Sequence, residues 1–87
     1  MSKEKLDLAS VKVKLFASSR ELVGENEVRI SLADKTTVGN LRKKIVEMYP
    51  ALSKITFVVA VNHKVSDDSA VINSSDEVAV LPPVSGG

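Results

Sequence analysis

VGNLRKKIVEMYP, residues 38 to 50, is where the chain changes its hydrophobic period. Val38, Leu41, Ile45 and Met48 recur at three- and four-residue spacing, which places them on one face of an α-helix. Asn40, Lys43, Lys44 and Glu47 fill much of the remaining surface, with Lys43 and Glu47 close enough to pair in the order the helix dipole favours less. Thr36 or Thr37 supplies a hydroxyl to cap the start. Pro50 ends the helix, and Tyr49 before it is biased out of the α region.

On both sides of this helix the period is two. Val11, Val13, Leu15 and Ala17 alternate with Lys12, Lys14 and Phe16, and Val28, Ile30 and Leu32 alternate with Glu27, Arg29 and Ser31, so two strands are expected. Between them, Ser18 to Gly24 hold a short helical or turn segment. After the helix, Phe57 to Val61 is apolar at every position and reads as a third strand. Asn62 and His63 mark a tight turn into a short fourth strand at Lys64 and Val65. Asp67, Asp68, Ser74, Ser75 and Asp76 punctuate a loop. Val78 to Leu81 is the last strand, ended by Pro82 and Pro83, which cannot donate ladder hydrogen bonds. The order β-β-α-β-β-β predicts an α+β fold with one main helix packed on one face of a mixed sheet. Residues 1–9 read as a flexible lead-in, 10–81 as the domain and 82–87 as a protruding tail.

Composition narrows the function classes. At 87 residues, with 44% apolar and 26% charged side chains, the chain suits one small domain with a modest core. Twelve basic residues against eleven acidic ones leave a formal charge of +1, so neither nucleic acid nor an anionic membrane is an expected partner. There is no cysteine, hence no disulfide, thiolate metal site or thiol nucleophile. No apolar run reaches membrane-spanning length and no signal-peptide core is present, so a cytoplasmic setting is expected.

One helix covers one face of a sheet. Val11, Val13, Leu15, Val28, Ile30, Phe57, Val59, Val61, Val78 and Val80 supply the covered face, which leaves Phe16, Val58, Ala60, Ala79 and Leu81 pointing away from it. A solvated face would carry polar residues there. A contiguous apolar patch instead marks a docking surface. The alternative is a local change of register that tucks some of these residues into a satellite core.

Few side chains carry chemistry. His63, the sole histidine, falls beside a turn and reads as solvated rather than as a metal ligand or general base. Asp67 and Asp68 are adjacent, not spaced as a catalytic carboxylate pair. Lys43 and Lys44 solvate the helix or steer a partner. No phosphate-binding glycine loop, metal-ligand spacing or nucleophile elbow occurs, and no metal is expected. The tail differs. Pro82 and Pro83 stiffen its base, whereas Val84, Ser85, Gly86 and Gly87 leave its tip slim. Six extended residues reach at most about 20 Å, enough for a carboxylate to enter another protein while the domain stays outside. A frayed end would explain diglycine alone; its setting after a proline-ended strand points to the main-chain terminus as the reacting group. A carboxylate is a poor acyl donor, so ATP-dependent activation to an acyl adenylate is required, and no ATP site is legible in the chain.

VKLFASSRELVG at 13–24, VAVNHK at 59–64 and DEVAVLPPVSGG at 76–87 resemble the opening, central and terminal motifs of the small subunit of molybdopterin synthase. The resemblance covers most of residues 11 to 87 and implies a ubiquitin-like β-grasp fold. It further implies that Gly87 is adenylated by an E1-like activating enzyme, which brings the ATP and draws on a sulfur donor, and is converted to a thiocarboxylate. No cofactor is then bound autonomously. The partner implied is the large synthase subunit, in a heterotetramer of two small and two large subunits. That subunit uses the sulfur to form the dithiolene of molybdopterin from cyclic pyranopterin monophosphate. Phe16, Leu81 and the tail residues Pro82, Pro83, Val84, Ser85 and Gly86 fall at or near the contact region that the resemblance implies. Sulfur carriers for thiamine synthesis or transfer-RNA thiolation, and ubiquitin-like protein modifiers, share the diglycine end and remain the competing readings.

Overall fold

The alternation around Val13 and Ile30 folds into two antiparallel strands. In the computed structural model, which describes residues 8–33 and 35–83, β1 (Leu8–Leu15) pairs with β2 (Glu27–Ala33), with Val13 opposite Val28 and Val11 opposite Ile30. β1 begins inside the segment read from sequence as a lead-in, because the backbones of Leu8 and Ala9 pair with Ala33 and Leu32. Residues 1–7 and the tail residues Val84, Ser85, Gly86 and Gly87 lie outside the described residues.

β1 stops at Leu15, and Ala17 opens helix α1 (Ala17–Val23) instead of extending the strand. A local hydrogen-bond loop turns the chain there. The Phe16 amide donates to the Ser19 hydroxyl oxygen (3.2 Å), and that hydroxyl donates to the Phe16 carbonyl (2.7 Å), offering the backbone an alternative to the ladder. Gly24 ends α1 in the left-handed region (φ 84°), with its amide donating to the Arg20 carbonyl at 2.8 Å.

The remaining elements are β3 (Thr36–Thr37), α2 (Val38–Met48), a 3₁₀ segment (Pro50–Lys54), β4 (Val58–Val61), β5 (Lys64–Ser66), β6 (Val71–Ile72) and β7 (Val78–Leu81). Five strands form a sheet in the order β2-β1-β7-β4-β5, in which β1 and β7 run parallel and the other neighbours antiparallel. β3 and β6 make a separate two-stranded ladder that has no counterpart in the sequence expectation. Among the described residues, α2, the expected main helix, and the short α1 pack on a single face of this mixed sheet, giving the expected α+β fold.

The core is the expected face closed by α2. Val11, Val13, Leu15, Val28, Ile30, Phe57, Val59, Val78 and Val80 are buried against Val38, Leu41 and Ile45 of α2 and Leu52 of the 3₁₀ segment. Each such side chain contributes about 1.5–3 kcal/mol of burial. Val61 lies half-buried at the margin. Met48, expected on the apolar helix face, is 43% exposed; Tyr49 and Leu52 pack against the core from the segment that follows. Among the described residues, no helix is long and apolar enough to cross a membrane.

The start of α2 is sealed by a distant loop. The Val38 and Gly39 amides, which lack partners within the helix, donate to the Ala70 (2.9 Å) and Asp68 (3.0 Å) carbonyls, while Thr37 Oγ1 accepts from the Asn40 amide. A Cβ at Gly39 would stand 3.2 Å from Asp68 Cβ, so a larger residue there would require the loop to give by a few tenths of an ångström. Arg42 then locks the loop: Nε donates to Asp68 Oδ1 (3.2 Å), Nη1 donates to the Phe57 carbonyl (2.9 Å), and the guanidinium stacks 4.9 Å from the Phe57 ring centre. Asp67 turns the same loop, accepting at Oδ1 from the Ser69 hydroxyl (2.7 Å) and the Ser69 amide (3.0 Å). These bonds, the hydroxyl's first, hold the Asp67 carboxyl below its ordinary pKa.

Two stability measurements check this architecture. Gly24→Ala adds a Cβ that meets nothing within 4 Å, so its cost is the left-handed backbone alone. The denaturant midpoint should fall by the equivalent of about 1 kcal/mol at constant slope; an unchanged midpoint contradicts the cap. Asp67 has a depressed pKa in the folded state, so its contribution is present above the unfolded value and lost as pH falls through the folded one. Asp67→Asn should therefore be less stable than the parent at neutral pH and converge with it in acid. A gap between the two that stays constant with pH refutes the assignment.

Candidate docking face and tail base

Among the described residues, the five-stranded sheet has one face without a helix, and its strand register sorts that face into rows. β7 presents Ala79 and Leu81 two residues apart, and Glu77, just before the strand, continues the alternation. Lys14 lies beside Ala79 from β1, Ala60 lies opposite Ala79 from β4, and Val65 lies opposite Ala60 from β5. The next row toward the tail contains Val58 opposite Leu81, with Phe16 alongside, its amide donating to the Val80 carbonyl at 3.3 Å.

The structure brings all five expected face residues together. Phe16 is 41% exposed, Val58, Ala79 and Leu81 are half-buried, and Ala60 is 6% exposed beneath its taller neighbours. The satellite-core alternative does not form. Phe16, Ala60, Ala79 and Leu81 line a shallow depression of about 450 Å³, joined by Val65, which is 55% exposed. Pro82 and Pro83 continue from Leu81 and are exposed, so the base of the tail leaves from the edge of this depression.

One rim is ionic, and this sequence reasoning missed. Lys14 Nζ donates to Glu77 Oε2 at 3.2 Å, and His63 Nε2 lies 3.3 Å from Glu77 Oε1, so one carboxylate bridges two nitrogen groups. The Lys14 hydrogen bond and charge, with a smaller part from His63, lower the Glu77 pKa. His63 is positioned by a two-residue hairpin turn in which Asn62 (φ 53°) and His63 (φ 70°) are both left-handed, the geometry that matches strand twist. The Asn62 side chain fixes that turn to the neighbouring strand: Oδ1 accepts from the Glu77 amide (3.0 Å) and Nδ2 donates to Asp76 Oδ1 (3.2 Å). The parity of Lys14 with Phe16, and of Glu77 with Leu81, was available in the sequence; the 63-residue separation of the pair hid their contact. Among the described residues no group of three histidine or acidic side chains could hold a metal ion. The face offers apolar contact and a charged rim, and no clustered nucleophile and base.

The comparisons with known proteins agree with this geometry. The model of the ThiS family matches residues 13–87. The chain is 42% identical over 81 residues to the molybdopterin synthase sulfur carrier subunit of Dictyostelium discoideum, covering 87% of this chain and 94% of that one. It is 34% identical over 85 residues to the protein of the same name from Arabidopsis thaliana, covering 93% and 88%. The crystal structure of small archaeal modifier protein 1 from Haloferax volcanii superposes with a TM-score of 0.78 at 31% identity, covering 91% of this chain and all of that one. With a ubiquitin-like β-grasp fold and this extent of similarity, the chain belongs to the ThiS family and is a homologue of the molybdopterin synthase sulfur carrier subunits.

Proposed function

We propose that this chain is the sulfur-carrier subunit of a molybdopterin synthase, with the main-chain carboxylate of Gly87 as its reacting group. The observation that carries the reading is the exit of a proline-stiffened tail from the edge of an exposed apolar sheet face, in a chain whose family match extends through Gly87. A face that docks outside a partner and a slim strand that enters it divide the work between binding and delivery.

In this reading an E1-like enzyme holds ATP, and a carboxylate oxygen of Gly87 attacks the α-phosphorus, releasing pyrophosphate. A sulfur nucleophile then displaces AMP at the acyl carbon and leaves a thiocarboxylate. The large synthase subunit receives the tail and the sulfur passes to cyclic pyranopterin monophosphate, with water restoring the carboxylate. This chain contributes no general acid or base. Its contribution is orientation: contacts across the open face hold the terminus in place, turning an encounter into a positioned reaction. The heterotetramer of two small and two large subunits belongs to the same proposal.

The similarity to a small archaeal modifier protein favours a second reading, in which Gly87 is joined to a lysine of another protein. The two readings leave different products. A terminal thiocarboxylate, seen by intact mass after incubation with activating enzyme, ATP and sulfur donor, supports sulfur carriage; a stable isopeptide conjugate supports modification.

A non-removable residue added after Gly87 should abolish sulfur donation while leaving the melting curve unchanged; full activity with that extension contradicts the reading. Phe16→Ala should weaken binding to the large subunit by about thirtyfold, as expected for an exposed aromatic anchor worth about 2 kcal/mol. Titration calorimetry on the folded variant checks this, and wild-type affinity removes Phe16 from the interface.

A further inference from the structure

We propose that Ala60 and Ala79 form a socket that admits one bulky apolar side chain from the protein that receives Gly87, so that the smallness of these two residues selects the partner. The proposal rests on the sulfur-carrier reading and specifies how its docking face recognises a partner. From the residue before β7 into the strand, the outward side chains run from charged to small to large: Glu77, Ala79 and Leu81, each about 7 Å from the next. Ala60 stands directly opposite Ala79 on β4, so two methyl groups meet where every neighbouring row is taller. Lys14, held by Glu77, walls one side; Phe16 and Leu81 wall the other. The result is a concave floor in a sheet face that side chains would otherwise level. Larger residues at 60 and 79 would bury more apolar area within the domain, so the gap costs stability and has its use in what fills it.

The reach of the chain decides the occupant. Gly87 lies four residue steps beyond Pro83, a span of at most about 14 Å. A protein that holds the Gly87 carboxyl carbon in its own active site therefore brings its surface within about 14 Å of Pro83, within reach of the Phe16–Leu81 end of this face. A second copy of this chain has no such constraint. The complementary shape is a branched or aromatic side chain standing out of the partner's surface, its end on the alanine methyls and its flanks against Phe16 and Leu81. A group desolvated in this way, at the centre of an interface, is where binding energy concentrates.

The absence of cysteine allows a test in which the fold forms before the socket is filled. Ala79→Cys is purified folded, then alkylated with iodomethane or with benzyl bromide to a thioether that the sulfur donor cannot cleave, and binding to the large synthase subunit and to the activating enzyme is measured separately. The methyl adduct should bind within about threefold of the unlabelled variant. The benzyl adduct should lose about thirtyfold or more against the large subunit, with an unchanged melting temperature. Ala79→Leu made genetically should show the same loss if it folds. Wild-type affinity of the benzyl adduct for the large subunit overturns the socket while leaving sulfur carriage standing. Failure of the unlabelled carrier to bind either protein overturns both readings. Acquisition of a terminal thiocarboxylate by a benzyl adduct that cannot bind the large subunit separates them in favour of the socket.

Discussion

The parallel pairing of β1 with β7, with Leu15 beside Val80 and Lys14 beside Ala79, is the constraint on which the rest depends. It joins the first strand of the domain to the last and places β7 between β1 and β4. On the covered side it completes the floor on which α2 lies. On the open side it sets Lys14 against Ala79 and brings Phe16 next to Leu81. The base of the tail is consequently fixed to the middle of the sheet, not to an edge, and a partner that grips the face also determines where the tail begins.

How much of this was legible in the sequence follows from how local each signal is. The strands around Val13, Ile30 and Val80 and the helix around Leu41 declare themselves through periodicity, because burial on one face imposes it. The open face was legible for the complementary reason: Phe16, Ala60, Ala79 and Leu81 are apolar at positions that periodicity assigns to solvent. α1 was legible only as a short segment that could be helix or turn, since a seven-residue helix with Leu22 exposed has no apolar stripe to read. The β3–β6 ladder is two residues long and defines no period at all.

The site was legible in its apolar half and hidden in its ionic half. Lys14, His63 and Glu77 come from three different elements, and only the sheet order brings them to one rim. The same holds for the seal on α2, where Ala70 and Asp68 offer carbonyls to a helix that begins some thirty residues earlier. Thr37 could be read as a cap because it acts on its own helix; the loop could not. Sequence patterns report what a residue does toward its neighbours in the chain or toward water, and contacts across the fold need the fold.

The central place of β7 has a consequence for synthesis. Because that strand follows both of its neighbours in the sequence, a nascent chain carries β1 and β4 with unpaired inner edges until residues 78–81 have been made. Contacts of such high sequence separation close late and at an entropic cost. A chain released before that point has no continuous open face, no socket and no seat for a tail. The folded domain is thus itself a sign that translation has passed Leu81, and a partner that binds the face samples only chains that have come within six residues of the diglycine.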